Sequence, residues 1–216
     1  LGDVYKRQPV YTPEEILHSM GFVPMGAWGA DVELNRSKEY FPAFLCSIVQ
    51  SMLELGINGA YKGASAIVIP SLCDTLKTLG ENWKYAVKDI PFIPMTYPQH
   101  RKPAYGIAYT KAGYERVIHD LEKLGGKFDA AALAESNRIY NRHNQVMRRA
   151  EEVLANHPEI TAAQRSDLFK SAFFMLKEEH TALVEQLIKE LEGTAPAAEK
   201  LPVIVSGILT DAPQLN

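Results

Sequence analysis

Residues 64–70, Ala-Ser-Ala-Ile-Val-Ile-Pro, carry no charge and set Ile67, Val68 and Ile69 side by side. A run this short and this apolar reads as a strand buried on both faces, and such a strand needs helices above and below it. The flanking segments supply them. Residues 38–55 show apolar side chains near helical spacing, with Gly56 as the stop, and residues 74–87 form a second helical stretch. Earlier, Thr12-Pro13-Glu14-Glu15 opens a helix with Thr12 as N-cap, Pro13 at the first position and Glu15 at the third, ending near Gly21. Residues 22–28 and 91–97 are further strand candidates, the latter made irregular by Pro94.

Strand and helix therefore alternate through the first half, which predicts an α/β fold with a parallel, Rossmann/flavodoxin-like sheet flanked by helices. After a helix at 109–124, closed by Gly125-Gly126, two long helices are expected at 129–156 and 162–192. Thr161 and Gln164 form a capping box for the second. The domain plan is an α/β unit over 9–128, with long helices at 129–193 packing on it. A linker at 195–198 then leads to a strand at 201–209, read as the start of a truncated second α/β domain over 201–216. Residues 1–8 have neither an apolar h-region nor a small-residue cleavage site, and are set aside from the fold as a non-family or foreign end.

Composition removes several classes of function. With 23 Lys+Arg against 26 Asp+Glu, the formal charge of −3 argues against binding nucleic acid by phosphate neutralisation. No apolar run reaches the roughly 18 residues of a membrane span, so a cytoplasmic protein without a membrane partner is expected. Two cysteines cannot build a disulfide scaffold.

In open parallel sheets, ligands bind beyond the carboxyl ends of the strands. There the sequence places Trp28-Gly29-Ala30, Pro70-Ser71-Leu72-Cys73 and the turn Tyr97-Pro98-Gln99-His100-Arg101-Lys102. Cys73 opens a helix after a buried strand, where free amide N–H groups favour an anionic sulfur, either nucleophile or metal ligand. Cys46 lies on the preceding helix and can face the same crevice. The simpler reading is that both are buried thiols acting as small hydrophobes. His100, Arg101 and Lys102 form a basic turn able to hold a phosphate or a carboxylate, or else a solvated loop. Other signals are weak. Glu15-x-x-His18 is half of a di-iron helix motif, Glu178-Glu179-His180 lacks the second His of a zinc protease, and Arg138, Arg142, Arg148 and Arg149 read as the wet face of a helix. No side chain is singled out as catalytic.

Three stretches carry a resemblance. They are Phe22-Val23-Pro24-Met25-Gly26-Ala27-Trp28-Gly29-Ala30, Ser37-Lys38-Glu39-Tyr40-Phe41-Pro42-Ala43-Phe44-Leu45-Cys46-Ser47, and Ile69-Pro70-Ser71-Leu72-Cys73-Asp74-Thr75-Leu76-Lys77. With Asn82-Trp83-Lys84, Arg101-Lys102-Pro103-Ala104-Tyr105-Gly106 and Phe173-Phe174-Met175-Leu176-Lys177-Glu178-Glu179-His180-Thr181, they resemble the N-terminal half of the 2-hydroxyacyl-CoA dehydratase component D family, from about Tyr11 onward.

The resemblance implies a subunit holding a 4Fe–4S cluster through three cysteines. Two match Cys46 and Cys73, and the third lies in a C-terminal domain that this chain lacks. It implies a paralogous partner subunit in a heterodimer, an ATP-dependent iron–sulfur activator that injects one electron, and an acyl-CoA substrate, 2-hydroxyglutaryl-CoA. The thioester becomes a ketyl radical and expels its 2-hydroxyl group. Loss of a β-proton and return of the electron give the enoyl-CoA by syn-elimination. His100, Arg101, Lys102 and Trp28 are the expected substrate contacts, and the sequence leaves open whether a flavin is bound as well. A benzoyl-CoA reductase-type subunit and a non-catalytic iron–sulfur accessory protein are the alternatives. The family's substrate-side segment would fall at residues 1–8 and does not match there. The chain alone is expected neither to hold an intact cluster nor to turn over.

Overall fold

The computed structural model describes residues 4–7 and 12–194. The expected strand at 201–209 lies outside them. The described chain is α/β and divides into two compact units, one through Ser136 and one from Asn137.

The first unit is built on a parallel sheet of β1 (Val4–Arg7), β2 (Val23–Gly26), β3 (Ala64–Pro70) and β4 (Phe92–Met95), in the order β2-β1-β3-β4. The predicted strand at 64–70 is β3 to the residue. Val4–Arg7, part of the end that the sequence reading sets aside, instead pairs with both β2 and β3. Four residues without an apolar run give no local strand signal, and neighbours on both sides supply the pairing.

Helices α1 (Glu14–Ser19), α2 (Ser47–Ile57), α3 (Asp74–Ala86) and α4 (Ala104–Lys123) cover the sheet. Side chains alternate along β3. Ile67 and Ile69 join Met52 and Leu53 of α2 and Leu79 and Trp83 of α3, while Ala66 and Val68 join Leu17 of α1 and Val117 and Leu121 of α4. Ala64 would share a face with Ala66 in a regular strand, yet it packs with the α2–α3 cluster. The reason is a bulge. Val4 pairs with Ala64 and Lys6 with Ile67, so β3 carries one extra residue and its side chains change sides.

Three predicted helices of this unit are corrected. Residues 38–55 are not one helix. A 3-10 turn at Arg36–Glu39 precedes Pro42, and α2 starts only at Ser47. A proline has no N–H to donate and biases the residue before it away from helix. Gly56 is not the stop but an interior residue of α2, and Asn58 caps the helix. A Cβ on Gly56 would lie 2.8 Å from the Trp83 ring, so glycine here permits close helix packing. In α1 the N-cap is Pro13 rather than Thr12, and no side chain caps the helix. The helix predicted from 109 begins at Ala104, directly after Pro103.

The second unit contains most of α5 (Ala130–Ala155), together with α6 (Ala162–Ser171) and α7 (Lys177–Glu192). The helix predicted at 162–192 is two helices. The buried Lys177 ammonium donates to the Ala172 carbonyl, satisfying the end of α6 from the side chain that opens α7. The Thr161–Gln164 capping box forms as the sequence indicates. The four arginines of α5 are exposed, and Arg142 and Arg149 pair with Glu185 and Glu192 of α7.

Beneath these helices lies a buried polar network. His143 Nε2 and His180 Nδ1 are 3.0 Å apart, and His180 Nε2 donates to the Leu168 carbonyl at 3.1 Å. Burial, then the charges of Lys177 and His180, push the His143 imidazole down to about 4. Burial also lowers His180, against the opposing pull of its bond to Leu168. The folded His143 ring therefore stays neutral at pH values where an unfolded His, near pH 6.5, takes a proton, and His180 shifts in the same direction. The stability this provides is present above pH 6.5 and is lost as pH falls toward 4, by roughly 2–3 kcal/mol for His143 alone. Urea unfolding from pH 7.5 down to pH 4.5 should show this decline, and His143→Leu should flatten it. Equal slopes in the two proteins would refute the assignment.

Candidate metal and substrate site

Helix α2 runs into β3 through a short turn, so its start lies at the opposite, carboxyl edge of the sheet. Helix α3 begins at that same edge, with three residues between it and the end of β3. Cys46 is the N-cap of α2 and Cys73 the N-cap of α3. The sequence reading set Cys46 within a helix. The delayed start of α2 puts it at the cap instead, in the position that Cys73 holds in α3.

Both thiols are exposed and unbridged, and neither side chain makes a capping hydrogen bond. They are not core hydrophobes. Their neighbours are exposed apolar side chains, Phe44 at 86 % and Leu72 at 44 %. Two accessible thiols on adjacent helices of one edge form a donor set that suits iron–sulfur ligation, for which thiolate is the usual protein ligand. Among the described residues no three His, Cys, Asp or Glu side chains form a single ion site.

The turn leading to Cys73 also lines a cavity. Ser71, with Lys77 of α3, Thr96 and Gln99, borders a space of about 470 Å³ floored by Ile69 and Met95. A second cavity, of about 490 Å³, is walled by Tyr97, Arg101, Ile107, Lys111 and Tyr114. Tyr97 borders both. Its ring meets that of Tyr114 edge-on at 6.4 Å, and burial, then the hydrogen bond with Tyr114, raises its phenol well above the ordinary range.

Of the basic turn, Arg101 lines the second cavity, while His100 and Lys102 stand exposed beside it. The turn is held against α4 at Gly106, where any Cβ would run into the His100 carbonyl oxygen. Trp28 is half-buried, and its carbonyl accepts from the Tyr61 hydroxyl at 3.1 Å. Burial pushes the Tyr61 phenol up to about 12.

The sequence reading included Tyr97 in the candidate loop cluster but gave it no role, and it missed Lys111 as a second cation. Lys111 stands ten residues after Arg101, two turns into α4, and only the folded loop brings the two together. It also missed Glu54. This carboxylate is 2 % exposed and accepts from the Ser37 amide at 2.8 Å and the Asn35 amide at 3.1 Å. Burial raises its pKa, but the hydrogen bonds from Ser37, Arg36 and Asn35 outweigh burial and hold the group down to about 2.

No described helix is long and apolar enough to cross a membrane. A family model described as 2-hydroxyglutaryl-CoA dehydratase, D-component, matches residues 9–216, so residues 1–8 fall outside it. The chain is 41 % identical to the (R)-phenyllactyl-CoA dehydratase beta subunit of Clostridium sporogenes, over 96 % of this chain and 56 % of that protein. It is 41 % identical to the lactoyl-CoA dehydratase subunit beta of Anaerotignum propionicum, over the same shares. It is 38 % identical to the (R)-2-hydroxyglutaryl-CoA dehydratase subunit beta of Acidaminococcus fermentans, over 95 % of this chain and 55 % of that protein. The chain thus spans little more than half the length of these relatives. With cap cysteines at one sheet edge and a family match over nearly its whole length, this chain belongs to the 2-hydroxyglutaryl-CoA dehydratase D-component family.

Proposed function

We propose that the intact protein is the beta-type subunit of an (R)-2-hydroxyacyl-CoA dehydratase, and that Cys46 and Cys73 are two of the ligands of its 4Fe–4S cluster. The observation that carries this reading is the pair of exposed thiols capping neighbouring helices at the carboxyl edge of one parallel sheet. The strand order β2-β1-β3-β4 supports a flavodoxin-like sheet, a fold that binds its ligands at that edge.

The reaction explains why such a site is needed. The β-proton of a 2-hydroxyacyl thioester is poorly acidic, so direct loss of water is slow. The cluster, once loaded, supplies a low-potential electron and a Lewis-acidic iron for the departing hydroxyl group. One electron enters the thioester and one returns, so the net change is the loss of water. This chain's own residues have more modest tasks. Cys46 and Cys73 present their sulfurs at the edge. Phe44 and Leu72, close in sequence to the two cysteines, add exposed apolar surface that a covering partner would bury. Arg101 and Lys111 both line the second cavity, and the CoA phosphates are the anion they would meet there.

Beta-type relatives imply a paralogous partner subunit, and an ATP-dependent iron–sulfur activator would deliver the electron. A cytoplasmic setting suits free thiols. The identities of 41 %, 41 % and 38 % do not separate three acyl groups, so 2-hydroxyglutaryl-, lactoyl- and phenyllactyl-CoA are the substrates to offer. The test is anaerobic assembly of the intact protein with its partner, activator and ATP, followed by chromatography for the enoyl-CoA. Absence of product from all three substrates, with iron loaded, would overturn the reading. In the working system Arg101→Ala should raise KM for the acyl-CoA about tenfold with kcat nearly unchanged, as expected for a lost phosphate contact. An unchanged KM would remove Arg101 from the substrate site.

A further inference from the structure

Between β2 and α2 the chain makes a long excursion, residues 27–46, that ends on Cys46. Its only regular structure is the 3-10 turn at Arg36–Glu39, and Ala27 and Phe41 anchor it in the core, but no strand ladder or long helix fixes the stretch that leads to Cys46, and a ligand on a loosely held stretch would be poorly placed. Three polar side chains from the helices grip it. Glu54 of α2 accepts from the amides of Asn35 and Ser37 midway along it. Asn82 of α3 donates to the Tyr40 carbonyl at 2.8 Å further toward Cys46. Gln50 of α2, itself 4 % exposed, donates to the Leu45 carbonyl at 2.7 Å, one residue before Cys46.

We infer that Glu54, Asn82 and Gln50 form a clamp that positions Cys46 relative to Cys73 before any metal arrives. Asn82 gives the clamp its reach, because it belongs to the helix that Cys73 caps and so ties the two thiol-bearing elements together. Glu54 suits its place because a carboxylate accepts several N–H groups at once, and those bonds keep it ionised despite burial. The three are positioning residues. They touch the segment that presents the ligand, and they follow the general rule that the partners behind a metal ligand set its orientation.

The inference rests on reading Cys46 as a ligand, and the experiment separates the two. The intact metal-free protein is titrated with Cd²⁺ alone, followed by its thiolate charge-transfer absorbance, a soft-metal probe independent of turnover. Cys46→Ser should weaken Cd²⁺ binding outright. Gln50→Leu and Asn82→Leu should weaken it about tenfold or more while both thiols remain present. If Cys46→Ser weakens binding and the Leu variants bind as wild type does, the clamp is refuted and the ligand reading stands. If Cys46→Ser leaves binding unchanged, both fall. Should a Leu variant fail to fold, hydrogen exchange in the wild-type metal-free protein decides. Slow exchange at Asn35 and Ser37 supports a preset segment, and exchange at the rate of a free loop overturns it.

Discussion

Serine in place of Cys73, or of Cys46, should leave the intact protein folded and strip it of iron. Both thiols are exposed, so the fold places no packing demand on either sulfur. As cap residues they tolerate serine well, since serine is among the preferred N-caps. The unfolding midpoint should therefore hold or rise slightly. Iron binding has no such tolerance, because a hydroxyl is a poor substitute for a thiolate toward iron. Changing residues that merely support a metal ligand costs about 10–100-fold, so loss of the ligand itself should lower dehydration by about 100-fold or more. Iron content, the cluster's electron paramagnetic resonance signal and enoyl-CoA formation should fall together. A Cys73→Ser protein that keeps its iron would remove that residue from the ligand set.

The second large effect concerns the support beneath those caps. Trp83 of α3 is fully buried, stacks on Tyr61 with ring centroids 5.9 Å apart, and donates from Nε1 to the Ile90 carbonyl at 2.9 Å. Its ring fills the space that Gly56 leaves open on α2. Trp83→Ala would empty that space and leave the Ile90 carbonyl without its donor. Large-to-small changes at buried aromatics cost about 3–5 kcal/mol, and the orphaned carbonyl adds to this. Because the ring joins the two helices that carry the cysteines, the variant should lose both stability and metal affinity. Trp83→Phe should recover part of the packing but not the hydrogen bond. Urea unfolding of the three proteins tests this, and a Trp83→Ala change within 1 kcal/mol of wild type would show that α2 and α3 are held together by something else.

These two predictions differ in how far the sequence alone supports them. The cysteines were conspicuous, Cys73 beside a helix start signalled in the chain and Cys46 within the helix expected before it. Their exposure was not, because a free cysteine is as often buried as presented. The role of Trp83 required the fold. Residues 74–87 declare a helix by their periodicity, but nothing in them says that a glycine 27 positions earlier makes room for the ring. Gly56 itself misled, for glycine is the common helix stop and here serves close packing inside one.

What the sequence determined by itself lies within short range. Strand β3, helix α3 and the Thr161–Gln164 cap follow from side-chain period and cap chemistry, which operate over a few neighbouring residues. Tertiary structure decided the rest. Strand β1 exists through pairing on both sides, the 162–192 helix divides where the Lys177 side chain reaches the Ala172 carbonyl, and Cys46 is carried on a segment held from Ser37 to Glu54, 17 positions on, and from Tyr40 to Asn82, 42 positions on. Hydrogen bonds across such separations form only when packing has already brought the partners together, so no local pattern in the chain announces them.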